Sequence, residues 1–492
     1  MLFNSYIFIL GFLPITFLVY FHLLKKDLKG SAKVFLVIAS LFFYSWWNIV
    51  YLPIILFSMV FNYRIGKSLD RSNKNIKSWQ YGLLITGILI NIGILAYFKY
   101  ADFFLQNINN ITSSNISLLE LTLPLAISFF TFQQIAYLVD CYRQQTKEYS
   151  FLNYALFVTF FPQLIAGPIV HHEEMMPQFG DNENKVKNYT NITKGIFIFS
   201  IGLFKKVVIA DSFSLWVENG FNKADTLSFF EAWATSLSYT FQLYYDFSGY
   251  ADMAIGIALL FNIKLPINFN SPYKAISIQD FWRRWHMTLS RFLRDYVYIP
   301  LGGNRSKGRR GWHFKIYSNL MMTFIIGGFW HGAGWTFIFW GFLHGTALII
   351  QKIWSGLNLK LKPWLAWFIT FNFINISWVF FRAEKWDDAI KVLRGMFGYS
   401  GVSLPSFLGG FEFLSGYGIV FNGLMPSIEG DKYTAFLIFC SLFFVLAFKN
   451  SNEILKAFHF GKKYLILWIP LLFVFSLLSI AKSKTEFLYF NF

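Results

Sequence analysis

Charge is what this sequence has least of. Of its 492 residues only 14% are Asp, Glu, Lys or Arg, whereas a soluble domain carries about 25%. Cysteine is nearly missing. Cys141 and Cys440 lie far apart, each in or beside an apolar stretch, which excludes a disulfide-stapled scaffold. Acidic residues are scarce as well, 26 against 43 Lys and Arg, for a formal net charge of +17. In a soluble chain that excess suggests nucleic acid; in an apolar one it is the loop charge that orients a membrane protein, and no nucleic-acid partner is expected. There is no phosphate-binding glycine loop, no serine nucleophile elbow and no Cys, His and carboxylate spacing for a metal. Any chemistry must therefore occur inside the membrane body.

What the chain does have is apolar and aromatic. Hydrophobic residues make up 55%, with 62 Phe and 17 Trp, more than a soluble fold could bury without large exposed patches. The expectation is an all-α polytopic membrane protein. Apolar runs are read at 3–23, 32–47, 49–63, 79–97, 119–139, 151–170, 192–210, 231–261, 317–333, 336–351, 363–381, 434–448 and 464–481, giving about 11–13 spans. The first run has no basic n-region or small-residue cleavage site and reads as a span, not a signal peptide.

Charge placement orients the trace. Lys25, Lys26 and Lys29 follow the first span, and Arg64, Lys67, Arg71, Lys74 and Lys77 follow the third. Both loops should be cytoplasmic. Loop 101–118 has no Lys or Arg and falls outside; Lys352, Lys360, Lys362, Lys449, Lys456, Lys462 and Lys463 fall inside. Both termini are then extracytoplasmic. The alternation fails only at 151–190, where FFPQLIAGPIV carries two prolines and a glycine and reads as a broken, re-entrant helix buried in protein. Segment 262–316 is the most basic, eleven Lys and Arg against Asp280 and Asp295. QDFWRRWHMTLSRFLRDYVYIPL within it reads as amphipathic helices at the interface or dipping into the protein. Segment 382–432 is expected outside.

Among eight histidines, His22, His313 and His459 sit near basic or interfacial positions and read as solvated. His171 and His172 are adjacent, and adjacent helical side chains do not share a face, so no metal site is expected there. His331 differs. It lies in FIIGGFWHGAGWTFIFWGFLHG, where His344 is the one other ionisable residue, and an ionisable group at membrane depth is by default a functional candidate. The alternative is a histidine bonded to a neighbouring helix. Gly327, Gly328, Gly332 and Gly334 around it permit close approach. His344 comes thirteen residues later, a rotation of about 220° on one helix, so two packed helices suit the pair better. Asp246 and Asp252, inside a span, read first as hydrogen-bond or Arg partners.

These residues carry a resemblance. RRWHMTLSRFLRDYVYIPLGGNR and FWHGAGWTFIFWGFLHG are similar to the membrane-bound O-acyltransferases, MBOAT. LPLAISFFTFQQIAYLVDCYR, FFPQLIAGPIV, GLFKKVVIAD, YYDFSGYADMAIG and WVFFRAE resemble the bacterial subgroup that O-acetylates alginate and peptidoglycan. The resemblance implies one MBOAT domain over 1–492 built around a central funnel or tunnel, with His331 as the catalytic histidine and a second role for His286 or His344. It implies acetyl-CoA as a cytoplasmic donor, no bound cofactor, and donor contacts in the basic segment from Arg283, Arg284, Asn304 and Arg305. A neutral imidazole, with a reference pKa of about 6.5, could take the proton of the attacking hydroxyl. Trp330, Asn304 and helix-end amides are candidate oxyanion donors. The ending FLYFNF sets Phe487, Tyr489 and Phe492 in an F-x-Y-x-x-F pattern that resembles the tail of the small partner of the teichoic-acid D-alanylation enzyme. It implies that Tyr489 accepts the acyl group and passes it to an extracytoplasmic SGNH-hydrolase-like transferase for an envelope polysaccharide. Otherwise the tail is an interfacial aromatic anchor. A D-alanyl transferase, and a conduit whose chemistry lies wholly in partners, are the competing readings; a solute transporter would need inverted repeats, and none is evident.

Overall fold

The computed structural model describes residues 1–71, 77–146, 150–304, 312–421, 423–458, 463–481 and 487–488. Nearly all regular structure is helical; Val402–Ser403 and Ile419–Val420 add one short parallel pair. Helices are what a bilayer demands, because each backbone donor finds its acceptor inside the same segment. Among the described residues five are long and apolar enough to cross alone: Ile7–Lys25, Ile49–Leu69, Ser78–Lys99, Trp335–Gly356 and Pro363–Arg382. Lys29–Ser45, Lys432–Ala447 and Lys463–Ile480 are further apolar helices. Large side chains such as Leu10, Leu89, Ile350, Phe439 and Leu478 stand exposed on these helices, which suits a hydrocarbon surround.

The interior is organised by Phe229–Leu260, a helix of 32 residues, roughly 48 Å long at the standard rise. Ser228 and Glu231 form a capping box at its start, and almost every residue after Glu231 is buried. It packs against Tyr189–Phe204 along a seam of glycines. A Cβ on Gly195 would meet the Gly256 carbonyl at 2.7 Å, and one on Gly249 would meet the Gly202 carbonyl at 2.8 Å. Both pairs are spaced seven residues apart, so they share a face on each helix, and bare backbones touch there. Tyr189–Phe204 runs on through a π-helical turn, Lys205–Ala210, into Asp211–Glu218. That turn carries two lysines into the core. Lys205 Nζ lies 2.7 Å from Asp252, and Lys206 Nζ lies 2.5 Å from Asp246 and 2.8 Å from Asp211. The expected structural partner of the two buried aspartates is thus lysine, not arginine.

Segment 151–170 breaks where the prolines predict, into Phe151–Thr159 and Phe161–Leu164, and is buried throughout its second half. Segment 262–316 dips inward: Phe281, Trp285, His286, Leu289 and Phe292 are buried, on or beside the short helices Ile278–Trp282 and Met287–Phe292. Two segments hold more order than expected. Ala101–Thr112 is a helix, not a loop, with Phe104, Ile108 and Ile111 exposed along one side. Within 382–432, Trp386–Met396 is a helix whose Gly395 packs on the Leu227 carbonyl.

Two faces result. On one, Lys25 shares a concavity with Lys185 and Lys187. Gln178 donates to the Lys264 carbonyl, and Asn450 donates to Asn270. The segments around Lys25, Lys185 and Lys187 are thus neighbours, as are Gln178 with Lys264 and Asn270 with Asn450. On the other face, the segments around Asp102, Leu121, Gly334 and Glu384 meet around a common cavity.

Candidate functional site

His331 is the last residue of helix Trp312–His331, and His344 lies on the next helix, Trp335–Gly356. The two cross closely, as the glycines predict: a Cβ on Gly328 would strike the Phe337 carbonyl, and one on Gly341 the Phe324 carbonyl. The break at 332–334 lets the chain turn back immediately after the histidine. The His331 ring is 3% exposed and enclosed by protein. Trp330 lies at 4.8 Å, Phe381 at 5.0 Å and Trp340 at 5.2 Å between ring centres.

The helix end that carries His331 is held from outside. Lys99 Nζ donates to the carbonyls of Trp330 at 2.6 Å and His331 at 3.1 Å, and the Tyr100 hydroxyl donates to Phe329 at 2.9 Å. A cation on the final carbonyls completes a helix terminus and complements its dipole. Sequence reading missed Lys99. Its signal was a cation at the end of a span whose following loop has none.

Two cavities lie at different heights along helix Trp312–His331, one against Phe324 and one just past its end at Gly332. The first, about 640 Å³, opens on the basic side and is lined by Trp282, Arg283, Thr288, Arg291, Arg294, Tyr298, Thr323 and Phe324 among others. The second, about 500 Å³, is lined by Lys99, Gly332, Gly334, Phe337, Arg382 and Leu488 among others. Phe324 and His331 are seven residues apart on one helix, roughly 10 Å along its axis. Trp282 sits in the wall of the first cavity. It meets Trp340 edge-on at 5.8 Å, and Trp340 in turn meets His331. An indole partition with the imidazole at its far side thus separates the two spaces. Trp282, Trp340 and Phe381 were not singled out from sequence, because only the fold brings them together.

The other predicted residues fall as follows. His344 is fully buried; its Nδ1 accepts from Trp282 Nε1 at 3.2 Å and its Nε2 faces Ser377 Oγ at 3.2 Å. His286 is fully buried, with Nδ1 3.1 Å from Asn268 Oδ1, an oxygen that also accepts from the Thr288 backbone and hydroxyl. Its Nδ1 is therefore the protonated nitrogen of the neutral ring. Both histidines and Lys99 lie within electrostatic reach of His331. Arg283 lines the basic cavity, whereas Arg284 is spent on Asp280 at 2.9 Å and on the Asn270 carbonyl. Asn304 is exposed and accepts from the Tyr298 hydroxyl at the cavity wall. Arg305 and Tyr489 lie outside the described residues. Phe487 and Leu488 are described, and they are not an interfacial anchor: Phe487 is 1% exposed, packed edge-on against Tyr250 at 4.4 Å. His171 and His172 join a local network: Tyr296 donates to Asp140 at 2.9 Å and lies 3.1 Å from His171, and His172 Nδ1 is 3.1 Å from Asp140. No group of metal-holding side chains occurs among the described residues.

Residues 76–383 match the model of MBOAT, the membrane-bound O-acyltransferase family. A peptidoglycan O-acetyltransferase of Helicobacter pylori is 51% identical, covering 100% of this chain and 98% of its own. A probable alginate O-acetylase of Pseudomonas aeruginosa is 39% identical over 81% of this chain and 75% of its own. A teichoic acid D-alanyltransferase of Streptococcus thermophilus is 27% identical over 52% and 68%. The chain belongs to the membrane-bound O-acyltransferase family, and it is a membrane-embedded O-acyltransferase.

Proposed function

We propose that the protein carries acetyl groups across a bacterial inner membrane for O-acetylation of a cell-envelope polysaccharide. Acetyl-CoA is the cytoplasmic donor and the basic face is the cytoplasmic one, which leaves both termini outside. The observation that carries this reading is the pair of separate cavities along the helix that ends in His331, one walled by Phe324 on the basic side and the other by Gly332. A thioester can be presented from the side where Arg283, Arg291 and Arg294 suit phosphate groups, and an acceptor hydroxyl from the side of Gly332. The relatives named for acetyl transfer to peptidoglycan and alginate support acetyl over D-alanyl.

In this mechanism the neutral imidazole of His331 takes the proton of the acceptor hydroxyl while its oxygen attacks the thioester carbonyl. The tetrahedral intermediate collapses, the carbon–sulfur bond breaks, and the imidazolium returns its proton to the departing thiolate. Trp330 and Trp340 supply buried indole N–H groups beside His331 that have no hydrogen-bond partner among the described residues, so they suit the developing oxyanion. His286 and His344 orient the surroundings of the reacting ring. The acceptor hydroxyl is that of Tyr489. Its neighbour Leu488 lines the outer cavity together with Gly332, which supports an acyl-tyrosine that an extracytoplasmic SGNH-hydrolase-like transferase then unloads onto sugar.

The test uses the full chain in proteoliposomes with labelled acetyl-CoA and mass spectrometry of the tail. Wild type acquires an acetyl group on Tyr489. His331→Ala lowers that rate by about 10²–10⁴-fold with the protein still folded, and Tyr489→Phe abolishes polymer acetylation in cells. Undiminished acetylation in His331→Ala would overturn the catalytic role; normal polymer acetylation in Tyr489→Phe would overturn the relay.

A further inference from the structure

The helices that carry the charges buried around Lys206 also meet along the glycine seam. Ionised groups at this depth are costly and persist where they are paired and used. Asp246 lies near the middle of Phe229–Leu260 and is 1% exposed. One of its oxygens takes Lys206; the other accepts the backbone N–H of Leu488 at 3.1 Å. Lys206 Nζ also stands over the Phe487 ring, 4.9 Å from its centre, in a cation–π contact. The same ring is met edge-on by Tyr250. Two consecutive tail residues, the second 242 positions from Asp246 in the chain, are thus gripped by one ion cluster. The same Leu488 then forms part of the wall of the cavity at Gly332.

We propose that Lys206 and Asp246, backed by Asp211, form a seat for the C-terminal tail, positioning residues that dock Phe487 and Leu488 so that the acyl carrier is presented at the outer cavity. The proposal rests on the reading of the tail as carrier. Its logic is geometric. Leu488 is bonded to Tyr489, so fixing the Leu488 backbone limits where the next residue can reach. A backbone N–H on a carboxylate fixes position without regard to side chain, and a ring under an ammonium fixes orientation. Asp211 keeps Lys206 compensated if the tail leaves, so the seat survives undocking without an unpaired charge.

The test is cysteine accessibility in the full chain. Cys141 and Cys440 are replaced by alanine, Leu488→Cys is introduced, and reaction with a membrane-impermeant maleimide is timed in proteoliposomes. The backbone bond at position 488 is untouched by that substitution. With the seat intact, labelling is slow. Lys206→Met and Phe487→Ala each speed it about tenfold, the population change expected for loss of one such contact. In the otherwise native chain, both lower acetylation of Tyr489. Lys206→Arg and Phe487→Trp restore slow labelling. Should Lys206→Met fail to fold, Phe487→Ala on the tail side still decides. Unchanged labelling in folded Phe487→Ala and Asp246→Asn overturns the seat. The carrier reading fails separately, through Tyr489→Phe with normal polymer acetylation, and that variant leaves labelling at position 488 slow if the seat is real.

Discussion

Three buried histidines, His331, His286 and His344, lie together at the proposed reaction centre, and their hydrogen bonds assign them different work. His344 has both ring nitrogens engaged: accepting an indole proton at Nδ1 leaves the proton on Nε2, aimed at Ser377, whose own hydroxyl proton goes to the Ile374 carbonyl. A ring so committed holds Trp282 and the Ser377 helix in register and has no lone pair left for an incoming hydroxyl. His344→Leu should therefore strand the Trp282 N–H in an apolar site. The expected cost is about 1–3 kcal/mol of stability, read as a lowered unfolding temperature in detergent, with a smaller loss of acetyl transfer than His331→Ala gives. Loss of transfer equal to that of His331→Ala, at unchanged stability, would instead give His344 a chemical role. The sequence pointed to His331 through its apolar surroundings, but the division of labour between His286 and His344 is written in partners such as Asn268 and Ser377, which no spacing reveals.

At the scale of elements, the architecture depends on bare backbone at a few crossings. On Gly202 a Cβ would meet the Gly249 carbonyl at 2.5 Å and the Met253 nitrogen at 2.8 Å, atoms that cannot rotate away. Gly202→Ala should force Tyr189–Phe204 away from the central helix, costing about 1–3 kcal/mol and disturbing the lysines one turn further on. Gly82→Ala, where a Cβ would meet nothing within 4 Å, is the control and should leave the unfolding temperature level or raised. Equal unfolding temperatures for the two variants would contradict the seam. The spans themselves were largely legible because apolar runs of sufficient length have one stable form in lipid; each predicted run overlaps an observed helix or helix pair, although 119–139 is helical only from Ile127. Ala101–Thr112 was not, since its asparagines and missing basic residues read as an outside loop, and its apolar side of Phe104, Ile108 and Ile111 shows only once the segment is wound. Nor were the Lys205–Asp252 and Lys206–Asp246 pairs: sequence marked the aspartates, but pairing depends on how two helices cross.

For the whole molecule, the decisive property is its two-sidedness. In the proposed orientation the basic cavity at Arg283 faces the donor side and the Gly332 cavity the acceptor side. Of the three arginines in the basic cavity, Arg291 is bound by Glu174 and Arg294 by Asp295, whereas Arg283 is exposed and has no carboxylate partner among the described residues. Arg283→Gln should raise KM for acetyl-CoA severalfold with little change in kcat, and the difference from wild type should shrink as ionic strength rises, because exposed charges are screened over about 10 Å at 0.1 M salt. A salt-independent defect, or one confined to kcat, would remove Arg283 from donor capture. Leu488 at the wall of the outer cavity has a consequence for substrate choice. Under the proposed relay the membrane protein would not have to read the polymer; selectivity for one glycan over another would rest with the soluble hand-off protein, and exchanging that protein alone would redirect the same membrane engine to a different cell-wall ornament.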